Sequence, residues 1–248
     1  MEKKIALITA STGGIGLSVA KTLGVIGYTV VINGIDEKQG KAALEELKGL
    51  GVESELYMAD VTKETEVDAM VKYVGEKYGR IDTLINNAGG LGGRESFEEL
   101  TTDFYRRVMA LNLDSTVFAT RAAIPYLKNS KNNPSVINYT SIAAYNGGGP
   151  GAGIYAAAKG AKLTITKSMA KELIKYGIRV NAISPGTIDT AFRSATNREL
   201  MESWKSGIAI GRFGDSSEVA SVIEFLVSEK ASYLVGEVIQ INGGQAYL

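Results

Sequence analysis

The chain has 248 residues, 45% of them apolar and 22% charged, enough to bury one full core but short of a safe case for two domains. Its 27 basic and 27 acidic residues cancel, with no long run of either sign, which argues against a nucleic-acid or membrane-surface partner. Cysteine and histidine are absent, so disulfides, thiol nucleophiles, imidazole bases and the usual zinc ligands are excluded together; no metal site is expected, and acid–base chemistry near neutral pH falls to Tyr, Lys or carboxylates.

In chain order, short β-branched runs stand at 5–9 (IALIT), 29–33 (TVVIN), 54–59 (SELYMA), 83–87 (TLINN), 135–141 (SVINYTS), 179–184 (RVNAIS) and 238–242 (VIQIN). Helical segments such as EKQGKAALEELKGLG and KETEVDAMVKYVGEKYG lie between most of them; in the second, Val67, Met70, Val71 and Val74 mark a buried stripe. Near-continuous apolar strands separated by helices predict a doubly wound, Rossmann-type α/β fold. It has a seven-stranded parallel sheet with helices on both faces, in one domain over 1–248. The long irregular stretch after the sixth strand, with a helical piece near NRELMESW, reads as a substrate lid over about 188–212. No apolar stretch reaches membrane-spanning length, and MEKKIALIT runs straight into a strand without a cleavage pattern, so a cytoplasmic protein with no membrane partner is expected.

LITASTGGIG follows the first strand and opens a helix, the place where a dinucleotide diphosphate meets backbone N–H groups and the positive helix end. Gly14, Ile15 and Gly16 would give the close backbone approach there, and Ser11 and Thr12 the hydroxyls. Asp60 and Val61 end the third strand, where an Asp can accept from an adenine amino group. Asn87, Ala88 and Gly89, after the fourth, can run against a ribose. At the tip of the second strand Gly34 stands where an acid would grip a ribose 2′-hydroxyl, and Ile35 where an Arg would grip a 2′-phosphate. Asp36 would repel a phosphate or serve only as a helix N-cap, so NAD is favoured over NADP.

Tyr155 and Lys159 in GAGIYAAAKGAK share a helix face, but Tyr73 and Lys77 repeat the spacing, so spacing alone singles out neither pair. Context separates them. The first pair follows the fifth strand end, where Ser141 begins the excursion back to the crevice; the second sits on a charged helical segment beside Glu76. Reduction of a carbonyl needs a proton for the oxygen that gains charge. Tyr155 would donate it, with Lys159 and the oxidised nicotinamide drawing its pKa down. Ser141 would hydrogen-bond the oxyanion, and Lys159 would also hold the ribose hydroxyls. Asn112 either seats a water linking Lys159 to solvent or only caps a bend in its helix.

These segments resemble the short-chain dehydrogenase/reductase superfamily over essentially the whole chain. The resemblance implies an Asn–Ser–Tyr–Lys tetrad at Asn112, Ser141, Tyr155 and Lys159. It also implies a nicotinamide contact from the turn PGTIDT, through Pro185, Gly186 and Ile188 with Thr190 assisting. The chain departs from the pattern in having Ala10 for the first glycine of the fingerprint and one extra residue between Ser141 and Tyr155. NNAGGLGGR, NGGGPGAGIYAAAKGA, SPGTIDTAFR and INGGQ look most like bacterial reductases of alginate catabolism, which implies reduction of 4-deoxy-L-erythro-5-hexoseulose uronate to 2-keto-3-deoxygluconate. That substrate is anionic, and Arg94, Arg193 and Arg198 are the candidate cations. The resemblance also implies a homotetramer built on helices around 101–128 and 152–176. A 3-oxoacyl thioester reductase, a sugar or polyol dehydrogenase, and a cofactor-sensing scaffold on the same fold are the competing readings.

Overall fold

The computed structural model describes residues 3–190 and 204–247. Seven parallel strands form one sheet in the order β3-β2-β1-β4-β5-β6-β9: β1 (Ile5–Ile8), β2 (Thr29–Gly34), β3 (Ser54–Met58), β4 (Thr83–Asn86), β5 (Ser135–Tyr139), β6 (Arg179–Pro185) and β9 (Val238–Ile241). Every one coincides with a predicted run to within two residues. Chain order reverses between β1 and β4, and in such a sheet the strand ends there open into a crevice.

Each face of the sheet carries its own apolar cluster. On one side α3 (Glu64–Tyr78), α5 (Ser115–Asn129) and α7 (Gly153–Leu173) cover it; the predicted stripe Val67, Met70, Val71 and Val74 is buried there. On the other lie α1 (Gly14–Val25), α2 (Glu37–Gly49) and α8 (Ser216–Val227), with Val19, Leu23, Leu47 and Ile223 in the core. α2 begins where Asp36 accepts a hydrogen bond from the Gln39 N–H, and α3 ends at Gly79, whose φ of 72° only glycine adopts freely.

Two local irregularities position the site. α4 (Thr102–Met109) runs into α5 through a π-helical turn, Ala110–Asp114, so the helix expected around 101–128 is interrupted at Asn112. The excursion after β6 starts at β7 (Ile188–Asp189), which pairs with β8 (Gly214–Asp215) and so ties its two ends together. Most of the predicted lid, including NRELMESW up to Ser203, lies outside the described residues.

Ala10 occupies a left-handed backbone conformation, φ 49°, at the fingerprint position where the resemblance expects glycine. That conformation crowds a Cβ and costs roughly 1–2 kcal/mol. Ala10→Gly is therefore expected to stabilise the protein by about 1 kcal/mol, read as a rise of about 2–4 °C in thermal midpoint. An unchanged or lower midpoint contradicts the strain argument.

Candidate active site

The carboxyl ends of β1, β4, β5 and β6 open into a cleft of about 370 Å³ lined by Gly13–Gly16, Asn87, Gly89, Ser141, Tyr155, Lys159 and the Pro185–Gly186 turn. Ile188 and Thr190 close it on the side of the excursion, and a Cβ at Gly14 would lie 3.7 Å from the Thr190 methyl. A second cavity, about 530 Å³, adjoins it; Arg94, Asn146, Trp204 and Gln245 line that one. Tyr155 belongs to both. The phenol thus stands on the boundary between a long cleft and a separate chamber.

Tyr155 is the third residue of α7, and Lys159 follows one turn later on the same face. Lys159 is buried, and its Nζ donates to the Tyr139 carbonyl at 2.9 Å. The Ser141 hydroxyl hydrogen-bonds the Tyr155 phenol. Asn112 enters through the π-turn: its Nδ2 donates to the Gly90 carbonyl at 2.8 Å and the Val108 carbonyl at 3.0 Å, while its Oδ1 accepts from the Gly90 N–H at 3.0 Å. The side chain is fully buried, where losing such partners costs about 1–3 kcal/mol. Gly89 sits between the two groups: a Cβ there would lie 2.8 Å from both Asn112 Oδ1 and Lys159 Nζ. The four predicted catalytic residues are therefore brought together at one place.

The two Tyr–Lys pairs differ in electrostatics, not spacing. Tyr73 and Lys77 are exposed, with Lys77 paired to Glu55, whose hydrogen bond pushes the ammonium above the ordinary lysine range. Burial pushes Lys159 down to about 7. Burial also holds the Tyr155 phenol above its usual value, against the opposing hydrogen bond from Ser141. The expected lowering by Lys159 and the oxidised nicotinamide together belongs to the cofactor-bound state; in the protein by itself, desolvation of the phenol sets the direction.

The cofactor residues divide similarly. Gly13 caps α1 without a side-chain hydrogen bond, and the first turn of α1 carries no acidic residue, leaving its positive end free to face a diphosphate. The cradle at Gly16 and Gly186 is tight: a Cβ at Gly16 would meet Asn87 Nδ2 at 2.6 Å and one at Gly186 would meet the Asn242 Cα at 2.9 Å. Ser11 is a correction. Its hydroxyl is fully buried, donating to the Ile8 carbonyl at 2.7 Å and accepting from the Asn33 N–H at 3.1 Å, so it joins β1 to β2 and offers nothing to a phosphate. Thr12 packs against Gly34, where a Cβ would meet the Thr12 methyl at 2.5 Å, which explains why no acidic side chain stands there.

Asp36 caps α2 through its carboxylate. Val61 is buried. Asp60 holds the Thr62 N–H at 3.0 Å and hydroxyl at 2.7 Å; burial pushes its carboxyl up, but these bonds and Lys63 bring it below the usual range. Arg94 donates to the Pro150 carbonyl at 2.6 Å at the edge of the second cavity. Arg193 and Arg198 lie outside the described residues. The sequence reading missed Gln245, whose Oε1 accepts from the Thr187 N–H at 3.0 Å within the second cavity, and Lys162, which shares the face of Tyr155 and Lys159. The i+3 spacing from Lys159 was the available signal for the latter.

A parallel doubly wound sheet, a glycine-lined crevice at the strand reversal and a Ser–Tyr–Lys cluster beside a buried Asn define a dinucleotide-dependent oxidoreductase of one lineage. The chain belongs to the short-chain dehydrogenase/reductase superfamily and is an NAD(P)-dependent oxidoreductase: residues 9–246 match the family described as Enoyl-(Acyl carrier protein) reductase. It is 35% identical to the 3-oxoacyl-[acyl-carrier-protein] reductase FabG of Thermotoga maritima, over 98% of each chain. It is also 38% identical, with TM-score 0.91, to the crystal structure of the NADH-dependent reductase A1-R′ responsible for alginate metabolism, covering 100% of this chain and 98% of that one. A short-chain dehydrogenase/reductase of Serratia marcescens superimposes with TM-score 0.92 at 28% identity, over 98% of each chain.

The depressed Lys159 carries a stability signature. Between about pH 7 and 10.5 the unfolded chain keeps the proton that Lys159 has released in the folded protein, so the Lys159 contribution to stability rises with pH there and is flat below. The urea midpoint of the cofactor-free protein is expected to rise from about pH 7 to 9, more shallowly in Lys159→Met. A midpoint independent of pH in the unsubstituted protein contradicts the buried, partly neutral amine.

Proposed function

We propose that the protein is an NADH-dependent carbonyl reductase of an anionic keto-sugar, best matched by 4-deoxy-L-erythro-5-hexoseulose uronate, with 2-keto-3-deoxygluconate as product. The observation that carries the reading is Tyr155 on the boundary between the glycine-lined cleft and a chamber with a guanidinium at its edge. The preference for NADH rests on the tip of β2, where Gly34 is filled against Thr12, Ile35 is exposed and Asp36 is negative. The structural relative A1-R′ is NADH-dependent and has been crystallised with NAD.

The bound cofactor supplies the hydride. Lys159, held at the Tyr139 carbonyl, presents its amine to the ribose hydroxyls, and Gly89 leaves it the room. Ser141 is bonded to the phenol and so orients the carbonyl oxygen against it. Tyr155 gives its proton to that oxygen as negative charge develops, and a phenol held neutral by burial is in the correct protonation state for the reductive direction. Asn112 fixes the Gly90 backbone and places its Oδ1 close to Lys159, where one water can return protons to the amine. Arg94 faces the substrate carboxylate at the chamber's edge. The resemblance further supports a homotetramer, with Ala157 exposed on the outer face of α7.

The reading is tested by loss of reduced-nicotinamide absorbance with the keto-uronate, using NADH and NADPH separately, beside a 3-oxoacyl thioester. NADH with the keto-uronate is expected to be the fastest pair. A faster thioester, the activity of the FabG relative, replaces the sugar reading. Tyr155→Phe is expected to lower turnover by roughly 10³-fold or more while NADH still binds; retained turnover overturns the proton-donor role. Arg94→Ala is expected to raise KM for the keto-uronate about tenfold and leave KM for a neutral ketone unchanged. Equal effects on both remove Arg94 from carboxylate recognition.

A further inference from the structure

Positions 155, 159, 162 and 166 lie along one face of α7. Lys162 is fully buried, one of the largest side chains to be so, and its Nζ donates to the Ala88 carbonyl at 3.1 Å. A lysine is seldom buried without a carboxylate partner, and here the amine meets a neutral backbone oxygen. Below it a polar seam ties the helix to the sheet. The Thr166 hydroxyl donates to the Lys162 carbonyl at 2.7 Å, and Asn138 Nδ2 donates to Thr166 Oγ1 at 2.9 Å.

The segment held by this contact borders the cleft, and it is fastened along its length. Asn87 Nδ2 donates to the Thr9 and Ala10 carbonyls at 3.0 and 2.8 Å, which ties it to the glycine loop. The Ala88 N–H donates to Thr9 Oγ1 at 3.1 Å. Gly90 is clamped at both its N–H and its carbonyl by Asn112. Between these stands Gly89, at φ 156°, with Lys159 against it. The Ala88 carbonyl is the point at which the helix carrying Tyr155 and Lys159 grips this backbone directly.

We infer that Lys162 is a positioning residue for the cofactor: through the Ala88 carbonyl it sets the distance between residues 87–90 and the Tyr155–Lys159 face, and with it the width of the ribose end of the cleft. This rests on the reading of the cleft as the dinucleotide site and is independent of which carbonyl compound is reduced. The charge state suits the role. Burial, and then the neighbouring charge of Lys159, push Lys162 well below the ordinary lysine range. An amine that holds its proton less firmly keeps N–H donors for the carbonyl in either protonation state and adds less positive charge beside Lys159. An apolar side chain of the same length would fill the space and leave the Ala88 oxygen unheld.

The test uses the full-length protein with NADH alone, so that the identity of the substrate does not enter. NADH binding is followed by its fluorescence in Lys162→Met and Lys162→Gln, together with the cofactor-free thermal midpoint; kcat and KM for NADH are then measured on whichever ketone the unsubstituted enzyme turns over. Lys162→Met is expected to weaken NADH binding and raise its KM by about tenfold or more, with kcat within about threefold and the cofactor-free midpoint unchanged or higher. Lys162→Gln, which keeps a donor on a shorter stem, should bind NADH with intermediate affinity. Unchanged NADH affinity in Lys162→Met overturns the inference. So does a loss of affinity matched by a fall in the cofactor-free midpoint, which would assign Lys162 to stability alone. If Lys162→Met fails to fold, the Gln variant decides: wild-type affinity refutes the role and weakened affinity at an unchanged midpoint supports it.

Discussion

The constraint on which the site depends is the burial of the Lys159 amine at the carboxyl edge of the sheet, on the Tyr139 carbonyl. An amine withdrawn from water needs a fixed acceptor, and the end of β5 supplies one. Its position then dictates the neighbours. Residue 89 must lack a Cβ, since the space is taken by the amine and by Asn112 Oδ1. Asn112 must turn inward from the middle of a long helix, which the π-turn at Ala110–Asp114 accomplishes. Tyr155, one helical turn before Lys159, is thereby fixed at the mouth of the second chamber.

The same constraint accounts for the electrostatics. Spacing makes Tyr73–Lys77 and Tyr155–Lys159 equivalent, yet one lysine is driven up by a carboxylate in water and the other down by desolvation. An exposed ammonium beside Glu55 can hold its proton over the whole working range and exchange nothing. A buried amine near neutrality can pass a proton in either direction. Burial holds the phenol beside it neutral, the protonation state that the proposed donor role needs.

Much of this was legible in the residues. Runs of five to seven residues marked all seven strands, most plainly for β1, β2, β4, β5 and β6, which are buried on both faces and have no polar face to confuse the pattern. Ser141, Tyr155 and Lys159 stood out because they follow a strand end, the last two on one helix face. The residues alone left Asn112 open between a water relay and a bend cap, and only the resemblance joined it to them. Ser11 was misread for a physical reason: a hydroxyl in a glycine-rich turn looks the same in sequence whether it faces a phosphate or, as here, the Ile8 carbonyl. Asp36 carried two readings in sequence, and its hydrogen bond to the Gln39 N–H shows the capping role.

The sequence alone determined the architecture and the crevice at the strand reversal, since these follow from periodicity along one chain, and it marked Tyr155 and Lys159 as candidates by their place after the fifth strand, not by spacing. Only the tertiary structure decided which side chains lose their water. The depressed Lys159, the clash that keeps an acid from position 34, and the grip of Lys162 on Ala88 all arise between segments about 20 to 75 residues apart. Desolvation and close packing act through space, and a linear pattern carries no record of either.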